Sequence, residues 1–422
     1  MVESGTEAQK QLMMSITRRQ FSAAALAFAA PTRKLRAVPR IDTAKLDDIL
    51  RSSLQKRGIP AATAIVANAD RVTYSGVFGK RDSASSVNTA VDTIFRIASM
   101  TKAITTTAAL QLVEQGKVTL DEPVSKHLPE LAKVDVLEGF DNSGKPILRP
   151  AKTPIALRHL LTHTSGCAYA NWNPTLTQYI KVSGSTPRAV APLNPLMFEP
   201  GTRWHYGPSV DWAGKLVEKI SGLTLEQYFQ SNILQPLAMK STSFLVAPEN
   251  YDRVVSVYRR LPDGKLTEDP RPPTQPPPPT EYNGGGGLFS TAADYIRFTQ
   301  MILRKGRGAN KEEILRPKTV ELMSANQIGS IPIQRLKSTD LSLTADLDLG
   351  PGNKYTYGFL LNTMTSPEGR PAGTLMWAGV ENTFYWIDPH RSLCAVIMMQ
   401  FLPFLDPQGA GVLGDFTKAV YA

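Results

Sequence analysis

Apolar residues at Leu46, Ile49, Leu50 and Leu54 fall on one stripe, which predicts an amphipathic helix over Thr43 to Lys56, ended by Gly58-Ile-Pro60. Two strand-like runs follow, Ala62–Ala67 and Val72–Phe78, and Asn68-Ala-Asp-Arg71 between them suits a hairpin. Thr93–Ile97 reads as a short extended segment, and an apolar helix runs from Ser99 to about Gln115, where Gly116 stops it. Residues 117–285 mix long loops with helices at Ile155–Leu161, Val210–Ile220 and Leu225–Leu234. Asp269–Thr280 holds seven prolines and is expected to be an irregular, extended surface loop. Beyond it come a helix from Thr291 or Ala292 to about Arg304 and another at Lys318–Asn326. Strand candidates follow at Tyr357–Asn362, Gly373–Val380, Thr383–Asp388 and Leu393–Gln400, and a helix at Gly411–Tyr421.

This order predicts an α+β fold. The two chain ends build one antiparallel sheet flanked by helices, with the last helix beside the first, and the middle of the chain forms a second, mostly helical lobe. The expected division is a tail over 1–40, an α/β domain from 41–95 with 285–422, and a helical domain over 96–284. There is no internal repeat. No stretch of 18 apolar residues exists, so no membrane span is expected.

The formal charge of +10 changes little, because seven basic and two acidic residues in the first forty supply half of it. The body is only mildly basic and has no Lys/Arg block interleaved with aromatics, which argues against nucleic acid as a partner. Thr17-Arg18-Arg19-Gln20-Phe21 before the small apolar run Ala23–Ala30 is similar to a bacterial twin-arginine export signal, with Ala27-Phe28-Ala29 as its cleavage site. A bacterial, periplasmic protein is expected if that signal works and a cytoplasmic one otherwise. The two cysteines, Cys167 and Cys394, form no CxxC, so neither a disulfide scaffold nor a zinc site is expected, and Cys394 reads as a buried small hydrophobe.

The chemistry starts from Ser-x-x-Lys, which occurs at Ser53/Lys56 and at Ser99/Lys102. The first lies on a charged helix surface where Lys56 stays solvated; the second follows an extended apolar run and opens an apolar helix. There the free N–H groups and the helix dipole favour negative charge, and Lys102 lies one turn beyond Ser99 on the same face. A lysine in apolar surroundings becomes a usable base or proton relay, and a serine so activated forms an acyl intermediate. The spacing alone fits equally an N-capping serine and a solvated lysine. Further along, Tyr206 stands just before a helix, where a neighbouring ammonium would favour its phenolate and let it accept a proton. In Leu375-Met-Trp-Ala-Gly-Val380, Gly379 reads as a strand position of close ligand approach or as a bulge. The N–H groups of Val380 and Ser99 are candidates for an oxyanion hole.

Together these residues resemble the serine β-lactamase and penicillin-binding superfamily, and more closely the family VIII carboxylesterases and class C β-lactamases. Arg158-His-Leu-Leu-Thr-His-Thr-Ser-Gly166, Phe198-Glu-Pro-Gly201, Gly285–Thr291 with Asp294, and Tyr357-Gly358 carry the same resemblance. It implies a β-lactamase-like fold, Ser99 as acylated nucleophile, Lys102 as its partner and Tyr206 as general base. Two positions depart from it. Tyr206-Gly-Pro208 replaces Tyr-x-Asn, and Trp377-Ala-Gly379 replaces Lys-Thr-Gly, so an amide and a cation suited to β-lactams are missing. The expectation is a serine carboxylesterase for short- to medium-chain carboxylic esters, with weak β-lactam opening as a side reaction and no cofactor or metal. Tyr206–Trp212 is also similar to fungal acyltransferases of statin side chains, so acyl transfer is the alternative, with a non-enzymatic ligand sensor as a third reading.

Trp377, Gly379, Tyr282, Asn283 and His205 are the candidate substrate contacts. His159 and His163 are four apart but have no third ligand nearby in sequence, and a structural role in the Thr-Ser-Gly turn fits better than a metal site. The chain has no Gly-x-Ser-x-Gly, and the run Gly284–Gly287 lacks the Lys-Ser/Thr of a P-loop.

Overall fold

The computed structural model describes residues 41–422 apart from 85, 186–193, 270–271, 273–275 and 351. The twin-arginine-like segment and the expected tail lie outside the described residues, as does part of the proline-rich stretch.

The first helix, Thr43–Arg57, begins where the Asp42 carboxylate accepts the Lys45 N–H at 3.1 Å and ends at Gly58, whose φ of 62° suits a residue without Cβ. It buries Leu46, Leu50 and Leu54. The sheet has seven antiparallel strands in the order Val72–Gly79, Ala61–Asn68, Leu393–Met398, Thr383–Asp388, Leu375–Gly379, Leu360–Leu361 and Lys354–Tyr355. The strands Leu393–Met398 and Thr383–Asp388 are buried along their whole length, so both faces of the sheet are covered. The period of two is visible in neighbours: Tyr385 meets Tyr295 of the Ala292–Leu303 helix at 5.0 Å, while Trp386 meets Phe416 of the Pro407–Tyr421 helix at 5.3 Å. The first and last helices lie side by side.

The Thr101–Glu114 helix is buried from Thr101 to Leu112 on every face. Three of its four threonines tolerate this because backbone partners satisfy them: Thr105 Oγ1 donates to the Gly284 carbonyl at 2.5 Å, Thr107 Oγ1 to Ala103 at 2.9 Å, and Thr101 Oγ1 accepts from Leu288 N at 3.2 Å; the Thr106 hydroxyl has no partner among the described residues.

Some expectations change. Ser53 does not sit on a solvated surface: it is buried between the terminal helices and donates to Asp415 Oδ2 at 2.9 Å, with Arg57 on the same carboxylate at 2.8 Å, while Lys56 is exposed. The strand expected over Tyr357–Asn362 is only Leu360–Leu361, because Gly358 turns the chain with φ of 90°. Leu225–Leu234 is an α-turn followed by a π-helical turn at Gln230–Leu234. The helix Pro174–Ser183, whose Leu176, Tyr179 and Ile180 fall on one face, and two hairpins, Asp135–Phe140 with Pro146–Pro150 and Val257–Arg260 with Leu266–Asp269, were not among the expected elements. The Pro146–Pro150 strand has no buried face, so apolar and polar residues need not alternate along it.

Candidate active site

Ser99 lies in a 3₁₀ turn, Ala98–Met100, that feeds the buried Thr101–Glu114 helix. Ala98 before it has a φ of 42°, the left-handed region that costs an L-residue about 1–2 kcal/mol and recurs at sites where the fold dictates the geometry. The turn is pinned on both sides. Ile97 N donates to the Leu288 carbonyl at 3.1 Å, and the Tyr295 hydroxyl donates to the Met100 carbonyl at 2.8 Å.

Lys102 follows one turn later and is fully buried. Its ammonium donates to Ser99 Oγ at 3.0 Å, to the Gly285 carbonyl at 2.6 Å and to the Tyr169 hydroxyl at 3.3 Å. It also sits 5.0 Å from the Tyr206 ring centroid and 5.5 Å from that of Tyr169. All three ammonium protons thus have partners, which is what a buried cation requires. The compensating charge is Asp211, on the first turn of the Ser209–Ser221 helix, whose Oδ2 accepts from the Tyr169 hydroxyl at 3.5 Å. Burial pushes the Asp211 carboxyl up to about 6, against the pull of the Lys102 charge. A Cβ at Gly285 would overlap that carboxylate, so the glycine run lets backbone pass between Asp211 and Lys102.

Tyr206 completes the cluster: it is buried, and its hydroxyl lies 2.7 Å from Ser99 Oγ. The blocks around it hold it there. His205 N donates to the His163 carbonyl at 3.0 Å, Tyr169 N to the Tyr206 carbonyl at 3.1 Å, and Gly201 N to the Thr164 carbonyl at 2.7 Å. The Tyr206 ring packs edge-on against His163 at 4.9 Å and Trp377 at 5.1 Å. His163 is fully buried, and burial together with the nearby Lys102 charge holds it well below the usual histidine range, so it stays a neutral aromatic wall. His159 is turned elsewhere and accepts the Ala156 N–H at 3.1 Å through Nδ1, capping its own helix.

Gly379 has its reason in close packing: a Cβ there would overlap the Ile97 carbonyl and the Thr383 hydroxyl, so the Leu375–Gly379 strand presses against the residue two before Ser99. That contact sets Val380 beside Ser99, and both line a mostly apolar cavity of about 480 Å³ with Tyr206, Trp172, Trp377 and Phe384. The other expected contacts lie off this cavity. His205 uses Nδ1 on the Tyr206 carbonyl at 3.0 Å and faces Asn173 through Nε2 at 3.3 Å. Asn283 Oδ1 accepts the Gly285 N–H at 2.9 Å and shapes the glycine turn, and Tyr282 packs on Phe244 at 5.1 Å. Tyr169 and Asp211 were not singled out in the sequence, although Asp211 lies one turn into the helix that Tyr206 precedes.

Residues 46–411 match the family model described as Beta-lactamase. Monacolin J acid methylbutanoyltransferase of Aspergillus terreus is 32% identical over 408 residues, 89% of this chain and 95% of that protein. Lovastatin esterase of Penicillium rubens is 32% identical over 336 residues, covering 74% of this chain and 80% of its own. The solved structure of unliganded simvastatin synthase from Aspergillus terreus superposes with a TM-score of 0.75 at 31% identity, covering 90% of this chain and 98% of that one. Among the described residues no helix is long and apolar enough to cross a membrane.

Proposed function

The chain belongs to the beta-lactamase family, and from that premise we propose that it is an acyltransferase that moves a carboxylic acyl group through an ester of Ser99 to an alcohol, water being the competing acceptor. The observation that carries the reading is the convergence of Lys102 Nζ and the Tyr206 hydroxyl on one serine oxygen at 3.0 and 2.7 Å. In the proposed cycle the Tyr206 oxygen, as phenolate beside the Lys102 ammonium, takes the Ser99 proton while Oγ attacks the ester carbonyl. The oxyanion is held by the Ser99 and Val380 N–H groups. The tetrahedral intermediate collapses, the carbonyl–oxygen bond of the donor breaks, and the proton on Tyr206 passes to the departing alcohol. The acceptor hydroxyl then gives its proton to Tyr206 and attacks the acyl carbon; the second tetrahedral intermediate collapses, the bond from the acyl carbon to Ser99 Oγ breaks, and Tyr206 returns the proton to Oγ.

The aromatic, apolar cavity supports an organic acceptor, and relatives of both kinds, a methylbutanoyltransferase and an esterase, share this architecture. Hydrolysis of short- to medium-chain esters is therefore the second reading, favoured where no acceptor is present. Trp377, buried against Tyr206, presents a neutral face to substrate, so β-lactam opening is at most a side reaction. The two readings separate on product partition. With a p-nitrophenyl ester and a rising concentration of alcohol, p-nitrophenol release is expected to accelerate and the transferred ester to become the main product. Free acid as sole product at an unchanged rate would leave only the hydrolase.

A further inference from the structure

The cavity does not end in an apolar wall. It runs from Ser99 along the Leu375–Gly379 strand to the loop over 362–370, where two buried polar side chains line it with little to bind. Asn362 is 4% exposed, and its side-chain amide makes no hydrogen bond to another described residue; the surface it keeps opens on the cavity. Arg370 is 9% exposed, and its Nε has no partner. Its other contacts are long: Thr417 Oγ1 at 3.4 Å, Glu368 Oε2 at 3.6 Å, and the Trp386 ring centroid at 6.0 Å. A guanidinium carries five N–H donors, and burying an amide and a guanidinium with so few partners is unfavourable unless a ligand supplies them.

We propose that this end of the cavity is a polar subsite that receives a hydroxyl at the far end of a long acyl chain, so that the enzyme selects ω-hydroxyacyl donors. The inference rests on the reading of Ser99 as the acylated residue. The strand gives the length. Val380 beyond one end stands beside Ser99, and the Thr374 carbonyl before the other accepts the Asn362 N–H at 2.9 Å. Six residues of extended chain separate those points by roughly 20 Å, less the reach of the side chains at each end. Short acyl groups therefore do not arrive at Asn362. The charge balance selects the end group. Glu368 partly neutralises Arg370, and Asp348 also lines this end and is exposed, so a carboxylate would meet two acids for one cation. A hydroxyl carries no charge, accepts from Asn362 or Arg370, and donates to Glu368 or to the Asn362 carbonyl oxygen.

The test compares paired p-nitrophenyl esters, methyl-terminated against ω-hydroxylated, from butanoyl to dodecanoyl, by kcat/KM for p-nitrophenol release. The expected ratio in the wild-type protein is near one for the short pairs and about tenfold in favour of the hydroxylated ester for the long pairs, the worth of about one net hydrogen bond. In Asn362→Leu and in Arg370→Met the long-pair advantage is expected to collapse. The ratio is read within each protein, so a smaller folded fraction cancels, and the wild-type length dependence stands without either variant. A wild-type preference for the methyl-terminated or an ω-carboxylated ester at every length would overturn the proposal, as would an advantage unchanged in both variants. No p-nitrophenol release from any ester would instead overturn the Ser99 reading beneath it.

Discussion

Asp211 is the residue on which the charge balance of the cluster turns. Its carboxyl is raised by burial to about 6 from a usual 3.8, so the fold favours its protonated form. That contribution to stability is complete below about pH 4 and is lost as pH rises through about 6, a cost on the order of 2–3 kcal/mol at neutral pH. The charged form balances Lys102 through Tyr169, so activity should have an acid limb near pH 6. Asp211→Asn is expected to lose that limb and to lower the plateau of kcat/KM by about tenfold, and its melting temperature should fall less than the wild type's between about pH 4 and pH 8. A pH–rate profile and thermal melts of the two proteins check both. That Ser99, Lys102 and Tyr206 belong together was legible in sequence, the first two as a spacing in an apolar context and Tyr206 from its place just before a helix and from the family resemblance. Asp211 was not, because a lone carboxylate at the third position of an amphipathic helix differs in no local way from a solvated one. Only the approach of Gly285, brought from more than seventy residues away, reveals its partner.

At the scale of elements, the site is a contact between a strand and a turn. The strand Leu375–Gly379 reaches the Ile97 carbonyl only because residue 379 has no Cβ. Gly379→Ala should push the strand away from the Ala98–Met100 turn and misplace the Val380 N–H. The expected result is a fall in kcat of about 100-fold with KM little changed, the usual cost of one oxyanion donor. Steady-state kinetics on a p-nitrophenyl ester measure this; a KM effect alone would assign Gly379 to substrate binding instead. The sequence identified the glycine as a place of close approach, but the partner is the chain's own backbone. The Thr43–Arg57 and Ala292–Leu303 helices were read to within a residue, Thr291 capping the second by accepting from Asp294 N at 3.0 Å, whereas the last helix starts at Pro407, four residues before the expected Gly411, because Asp406 caps it there. The two hairpins outside the main sheet were missed because none of their strands alternates: Pro146–Pro150 and Leu266–Asp269 bury no residue, while Asp135–Phe140 and Val257–Arg260 bury two consecutive ones.

Over the whole molecule, the chain's first and last described helices close the sheet on one another. The Ser-x-x-Lys at Ser53 belongs to that closure: the buried Ser53 with the half-buried Arg57 and Asp415 forms a junction between helices more than three hundred residues apart. Ser53→Ala is expected to destabilise the protein by about 1–2 kcal/mol in denaturant titration while leaving ester turnover at the wild-type rate. Two serines with the same local spacing thus do different work, and what separates them is the company that the fold brings. The central claim is that Ser99, and not Ser53, carries the acyl group. The direct measurement is the intact mass of the protein, quenched in acid shortly after mixing with a p-nitrophenyl ester, followed by peptide mapping. One acyl adduct per chain is predicted on the peptide holding Ser99, absent from Ser99→Ala and discharged faster when an alcohol is added. Near-normal turnover by Ser99→Ala, with no adduct on the wild type, would contradict the account.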